Sequence, residues 1–307
     1  MWFLFTLLTT FLWGVADLFY KRGADESEKY SHYLTAIAVG IIMGIQAIFM
    51  LISSGFDYNP LNLIYYLPTS LMYIISMVVG YAGLRYLELS ICSPVENSSG
   101  AVVTILCIIF LGQSLDLMSA VSVILVTIGV VYIGILERRE VGDVKESDKK
   151  YINGFVALIF PLIYAVLDAL GTFFDAFYLD IELTPLVDVT EENIEDVANI
   201  SYMLTFLIVA LILLFYVLVI RKEKIALPKQ GDKVAAAIFE TAGQYFYVYA
   251  MSGNAIVAAP LISAYSIVSI VLSRIFLKEK LNPKQYIAIA IVMAGILVMG
   301  VAEGLAE

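Results

Sequence analysis

Trp13 and Asp17 stand four residues apart in the run FLFTLLTTFLWGVADLFY, and Tyr164 and Asp168 repeat that spacing in LIYAVLDALG. Residues i and i+4 share a helix face, so each pair sets an aromatic ring beside a carboxylate. A ring face attracts positive charge and a carboxylate pairs with it, which is the chemistry of holding an organic cation. The same acids are candidates for proton exchange, because burial disfavours the charged form of a carboxylate. Glu96 and Asn97 in SPVEN, Glu240 and Gln244 in FETAGQYFY, and Tyr265 beside Ser266 add polar and aromatic groups inside other apolar runs. These nine residues form the expected substrate site, with Asp17 and Asp168 as its proton-coupling candidates.

An aspartate at the centre of a membrane helix costs about 2.5–3.5 kcal/mol to insert. No Lys or Arg is expected at the same depth, so each acid must face a wet cavity, stay protonated, or meet a cation. The plain reading, a helix-packing hydrogen bonder, stays open for each acid taken alone. Asp175 extends Asp168 and Thr172 into an i, i+4, i+7 stripe near the end of its run. Tyr73, Tyr81, Tyr245, Tyr247 and Tyr249 are deep tyrosines, either an aromatic cage or core. Tyr20, Tyr65 and Tyr66 read as interfacial belts.

The elements that must position these groups are membrane helices. The 307 residues are 61% hydrophobic and 15% charged, with a mean hydropathy of +0.90, whereas a soluble domain carries about 25% charged residues. Apolar spans fall near 2–21, 32–53, 62–84, 91–112, 117–136, 153–178, 200–220, 233–250, 255–277 and 285–302. Their lengths suit a bilayer crossing. All 18 Lys and Arg residues lie in the connectors after spans 1, 3, 5, 7 and 9. The positive-inside rule therefore puts those connectors in the cytoplasm and both termini outside, in the cell membrane. The N-terminal run has no basic residue before it and no A-x-A-like site after it, so a retained helix is expected rather than a signal peptide.

The chain also repeats itself. SPVENSSGAVVTILCIIFLGQSLDLMSAVSVILVTIGVVYIG from Ser93 aligns without a gap with APLISAYSIVSIVLSRIFLKEKLNPKQYIAIAIVMAGILVMG from Ala259. Five spans per half is odd, so the second copy enters the membrane inverted. The expected division is a first five-helix repeat at 1–137, a cytoplasmic linker at 138–151 and an inverted repeat at 152–307. The second repeat carries an acidic loop at 180–198.

The paired FL-G/K-x-x-L turns, the Ser/Ala-Pro starts at Pro94 and Pro260, the late glycines and the W-G-x(6)-K of Trp13, Gly14 and Lys21 resemble the EamA-type repeat of the drug/metabolite transporter superfamily. The resemblance implies an all-α, ten-span carrier of two inverted five-helix repeats, working by alternating access on a small molecule. It also implies both termini in the cytoplasm, where the basic residues here point the other way.

Other classes find little support. Net charge is −10 with no basic stretch for nucleic acid. No nucleotide-binding, metal-ligand or G-x-S-x-G pattern points to ATP coupling or catalysis, so no enzyme activity and no cofactor are expected. His32 reads as an ordinary interfacial residue. Cys92 and Cys107 would lie roughly 22 Å apart on one helix and read as thiols. The expected partners are a small-molecule substrate, protons or another coupling ion, and the lipid bilayer, with the protein a monomer or homodimer. A small organic cation or zwitterion fits the unneutralised acids best. A neutral sugar or nucleoside is the alternative, and a non-transporting receptor or scaffold is the remote one.

Overall fold

Apolar segments in lipid must satisfy their own backbone groups, and helices do so internally. The computed structural model describes residues 1–23, 28–83, 99–140, 159–276 and 283–306, and these are helical apart from short connectors. The helices are α1 (Trp2–Gly23), α2 (Ser31–Ser53), α3 (Leu61–Tyr65), α4 (Leu67–Gly83), α5 (Ser99–Phe110) and α6 (Leu117–Glu140). The second half supplies α7 (Ile159–Tyr178), α8 (Ile194–Phe215), α9 (Gly231–Ile262), α10 (Tyr265–Phe276) and α11 (Pro283–Ala306). The protein is an all-α, multi-span membrane protein. Trp2–Gly23, Ser31–Ser53, Ile194–Ile220 and Gly231–Ile262 are each long and apolar enough to cross a bilayer, and shorter apolar helices fill in between.

Several hydroxyls inside the spans are tied back to their own helix. Thr10 bonds the Thr6 carbonyl, Thr35 that of Ser31, and Thr205 that of Ser201, so these side chains enter lipid with no orphan donor. Apolar residues also cover the outside. Ile45, Ile48, Phe49 and Ile52 of α2 are exposed, as are Ile208, Leu211, Ile212 and Phe215 of α8. A surface of that kind is stable against hydrocarbon, not water.

Helix pairing follows a two-fold pattern. α1 packs on the first part of α9 and α4 packs on α7, two pairings that exchange when the halves are exchanged; α2–α8, α5–α9 and α6–α11 map onto themselves. Small residues permit the close approaches. A Cβ on Gly40 would lie 2.4 Å from the Phe206 carbonyl oxygen. Gly129 meets Val292 while its repeat partner Gly295 meets Val126, and these two valines align in the repeat as well.

Three spans depart from single rods. The third breaks at Tyr66, because Pro68 has no N–H to donate and belongs in the first turn of a new helix. The eighth and ninth join without a loop, separated only by Asn254 at φ −164°, ψ 72°. The ninth breaks again at Ser263–Ala264. Pro260 cannot bond the Ile256 carbonyl, and Thr104 Oγ1 from α5 takes that carbonyl at 2.9 Å. Helix resumes at Tyr265, the repeat counterpart of Ser99, where α5 begins.

At the connectors, Asp116 caps α6. It accepts the Met118 amide at 2.8 Å and the Ser119 amide at 3.1 Å. The Ser119 hydroxyl and these amides hold its carboxyl below the usual range.

Candidate functional site

The two pairs α1–α9 and α4–α7, with α5, α8 and α10, surround one central cavity with ≈ 120 Å³ of room for the centres of water-sized molecules. At about 10–15 Å³ per water, that is space for a handful of waters or a small solute. Trp13, Asp17, Tyr164, Asp168, Glu240, Gln244 and Tyr265 all stand in its wall. These are seven of the nine residues expected from sequence; Glu96 and Asn97 lie outside the described residues, as do Cys92 and Arg85.

Close approach builds the aromatic wall. Gly243 of α9 lacks the Cβ that would sit 2.4 Å from Trp13 Cδ1, so the indole lies flat against the helix. Its Nε1 donates to the Glu240 carbonyl at 3.3 Å. The ring then stacks on Tyr247 at 5.1 Å and meets Tyr265 edge-on at 6.1 Å. Such geometries suit aromatic quadrupoles.

Hydroxyls stand beside the acids. Ser269 of α10 faces Asp17, and Lys21, one turn further along α1, acts on it electrostatically. Ser99 at the start of α5 faces Asp168. Glu240 interacts electrostatically with both aspartates, so three carboxylates share one enclosure. Tyr20 faces Glu240, yet neither its Oη nor that of Tyr81 reaches a partner at hydrogen-bond distance. Gln244 Nε2 is in the same position, with its side chain almost wholly buried. Buried polar atoms without partners carry a desolvation cost that water or a ligand in the cavity relieves.

Several placements differ from expectation. Tyr20 lines the cavity beside Tyr81, their rings 5.0 Å apart, and is no interfacial belt residue. Tyr66 is fully buried and donates to Asp175, whereas Tyr65 is exposed. Tyr73, Tyr81 and Tyr247 line the cavity with Met77, Thr172, Tyr202 and Ser263. Tyr249 instead turns away to bond Asp196 at 2.7 Å, and Tyr245 lies against it. Asp175 is buried at 1% exposure, outside the cavity wall. Thr241 returns its hydroxyl to Ala237. Tyr202 carried no signal in sequence, since one tyrosine in an apolar run looks the same whether it meets a cavity or a core.

Among the described residues, no group of three or more His, Cys, Asp or Glu is arranged to hold a metal ion. The arrangement can attract a cation, accept hydrogen bonds from a polar solute, and take up protons.

In comparisons with known proteins, the model of the EamA-like transporter family matches residues 1–135 and 190–301. One solved crystal structure superposes with a TM-score of 0.66 at 13% identity, covering 94% of this chain and 97% of its own, a likeness of fold. No curated protein matches at a significant level.

Proposed function

The chain belongs to the EamA-like transporter family, and we propose that it is a proton-coupled carrier of a small organic cation or zwitterion such as an amine, a quaternary ammonium compound or an amino acid. A transporter role follows from the family, which makes a small molecule and the lipid bilayer its partners. The substrate class and coupling are our reading. What supports them is that Asp17, Asp168 and Glu240 share a cavity walled by Trp13, Tyr164 and Tyr265. An intramembrane carboxylate facing such a space is a binding or proton-relay candidate by default.

In this mechanism the ring of Trp13 or Tyr164 receives the apolar body of the cation, and Asp17 or Asp168 takes its charge. Substrate and proton compete for the same carboxylates, so loading one releases the other. Alternating access of the two inverted repeats then exchanges a cation for a proton across the membrane. The basic connectors face the cytoplasm of the cell membrane in this reading. Labelling an N-terminal cysteine from outside the cell tests that orientation; protection of that cysteine in intact cells would reverse it.

Proteoliposomes containing a pH-sensitive dye test the substrate and the coupling. A panel of amines, quaternary ammonium compounds and amino acids should include one that drives proton release in the parent protein. Asp17→Asn and Asp168→Asn should each abolish that release; undiminished release in both would defeat the assignment. A neutral sugar or nucleoside is the second reading, favoured by the unpartnered amide of Gln244 and the free hydroxyls of Tyr20 and Tyr81. Thermal stabilisation by neutral solutes and not by amines would select it.

A further inference from the structure

Asp175 is not part of the cavity wall, yet it is buried at 1% exposure and held by two tyrosine hydroxyls. Its Oδ1 accepts the hydroxyl of Tyr66, and its Oδ2 accepts that of Tyr73 at 2.9 Å. Tyr73 Oη also lies 2.8 Å from Thr172 Oγ1 and 2.6 Å from Tyr247 Oη. A phenol has one proton and two lone pairs. With the Tyr73 proton given to Asp175, the Tyr247 hydroxyl donates to the Tyr73 oxygen, and Thr172 Oγ1 is the alternative acceptor of the Tyr73 proton. This closed circuit joins α4, α7 and α9.

Its position separates two spaces. Thr172 lines the central cavity, while Ala176, one turn on along α7, lines a second cavity of ≈ 510 Å³ with Asp180, Glu191 and Glu195 in its wall. Asp175 stands between them on the same helix, with Tyr66, Tyr73 and Tyr247 all buried around it. We propose that Asp175, clasped by Tyr66 and Tyr73, is a protonation-operated latch that shuts the central cavity from this acidic vestibule. The latch deepens the proton-coupled reading and rests on it for its purpose.

The sign follows from the bonding. Ionised, Asp175 accepts at both oxygens, and its charge strengthens both bonds. A proton transferred from vestibule water to one oxygen removes that charge and turns an acceptor into a donor, so the clasp loosens. Closure therefore belongs to higher pH and opening to lower pH. The other titratable groups facing Asp175 are Tyr247 from α9, Tyr202 from α8 and Asp168 on its own helix. Asp168 is the one acid among them.

Spin labels at Leu61 and Leu183, both exposed, report the separation of α3 from the turn that follows α7 when both native cysteines are replaced by alanine. In lipid nanodiscs the parent protein should shift to longer distances as pH falls. Asp175→Asn should stay at the longer distances at every pH, with the pH response lost. Tyr66→Phe, which keeps the ring against Tyr178, should shift toward longer distances with a weaker response; it decides the matter if Asp175→Asn does not fold. Distances in either variant that match the parent across the pH range would overturn the latch, as would a parent with no pH response. No substrate is needed, so a responsive latch in a protein that moves no cation would remove the substrate reading and leave the latch standing.

Discussion

The pairs α1–α9 and α4–α7 are images of one another, yet their ends are fastened by different chemistry. At the Lys21 end, Lys233 meets Glu28 at 2.7 Å, Gln230 bonds the other Glu28 oxygen at 2.9 Å, and Arg22 meets Asp232 at 3.1 Å. At the opposite end, a single carboxylate gathers hydroxyls from Tyr66 and Tyr73. Ion pairs suit the first end because Arg22, Asp232 and Glu28 keep contact with water, and the buried Lys233 ammonium is paired with Glu28. Neutral phenols suit the second because it is sealed, and a buried cation there would need costly desolvation. A repeated backbone therefore does not dictate repeated chemistry. One fastening should answer to salt, the other to protons.

The strongest way to break this contrast is at Glu28. Lys233 is 2% exposed and Glu28 22%, so removing the acid strands a buried ammonium. Glu28→Ala should cost about 3 kcal/mol of stability. Lys233→Met should cost less, about 1 kcal/mol, because its alkyl body is kept and Glu28 regains water. Thermal unfolding in detergent measures both, and equal losses would contradict the assigned burial.

A middle-sized effect compares the aromatic sockets. Gly243 receives Trp13 and Gly171 receives Tyr73, but a new Cβ would lie 2.4 Å from the indole and 3.1 Å from the phenol ring. Gly243→Ala should cost about 2 kcal/mol by overpacking and quench binding by displacing Trp13. Gly171→Ala should cost under about 1 kcal/mol, because the ring gives way by a few tenths of an ångström. Reversal of that order would show that the two sockets do not differ as the geometry says.

The smallest effect belongs to Arg22 and Asp232, whose side chains are 46% and 33% exposed. Arg22→Ala should change stability by no more than about 0.5 kcal/mol, and salt should erase the difference. A loss as large as that at Glu28, measured in the same unfolding experiment, would make this outer pair part of the fastening.

Much of the cavity was legible before any coordinates. Trp13 with Asp17 and Tyr164 with Asp168 announce a shared face by their spacing, and a carboxylate in an apolar run needs a reason that a leucine does not. The repeat from Ser93 to Ala259 told the same story for Gly129 and Gly295, whose valine partners also match. Tyrosine was the weak point. Tyr20, Tyr66 and Tyr249 share one chemistry and sit near span ends, but one faces the cavity, one clasps Asp175 and one bonds Asp196. A phenol is tolerated by an interface, a core and a polar cluster alike, so its type does not report its surroundings.

By itself the sequence determined the class of molecule: an excess of apolar side chains, basic charges gathered near the connectors and a doubled pattern point to a multi-span set of membrane helices. Those properties are local or periodic, and bilayer energetics act on each span alone. Only the tertiary structure decided which carboxylates share a chamber and which is sealed beside it. That outcome depends on helix rotation and on approaches permitted at Gly243 and Gly171, set by packing between segments more than 90 residues apart.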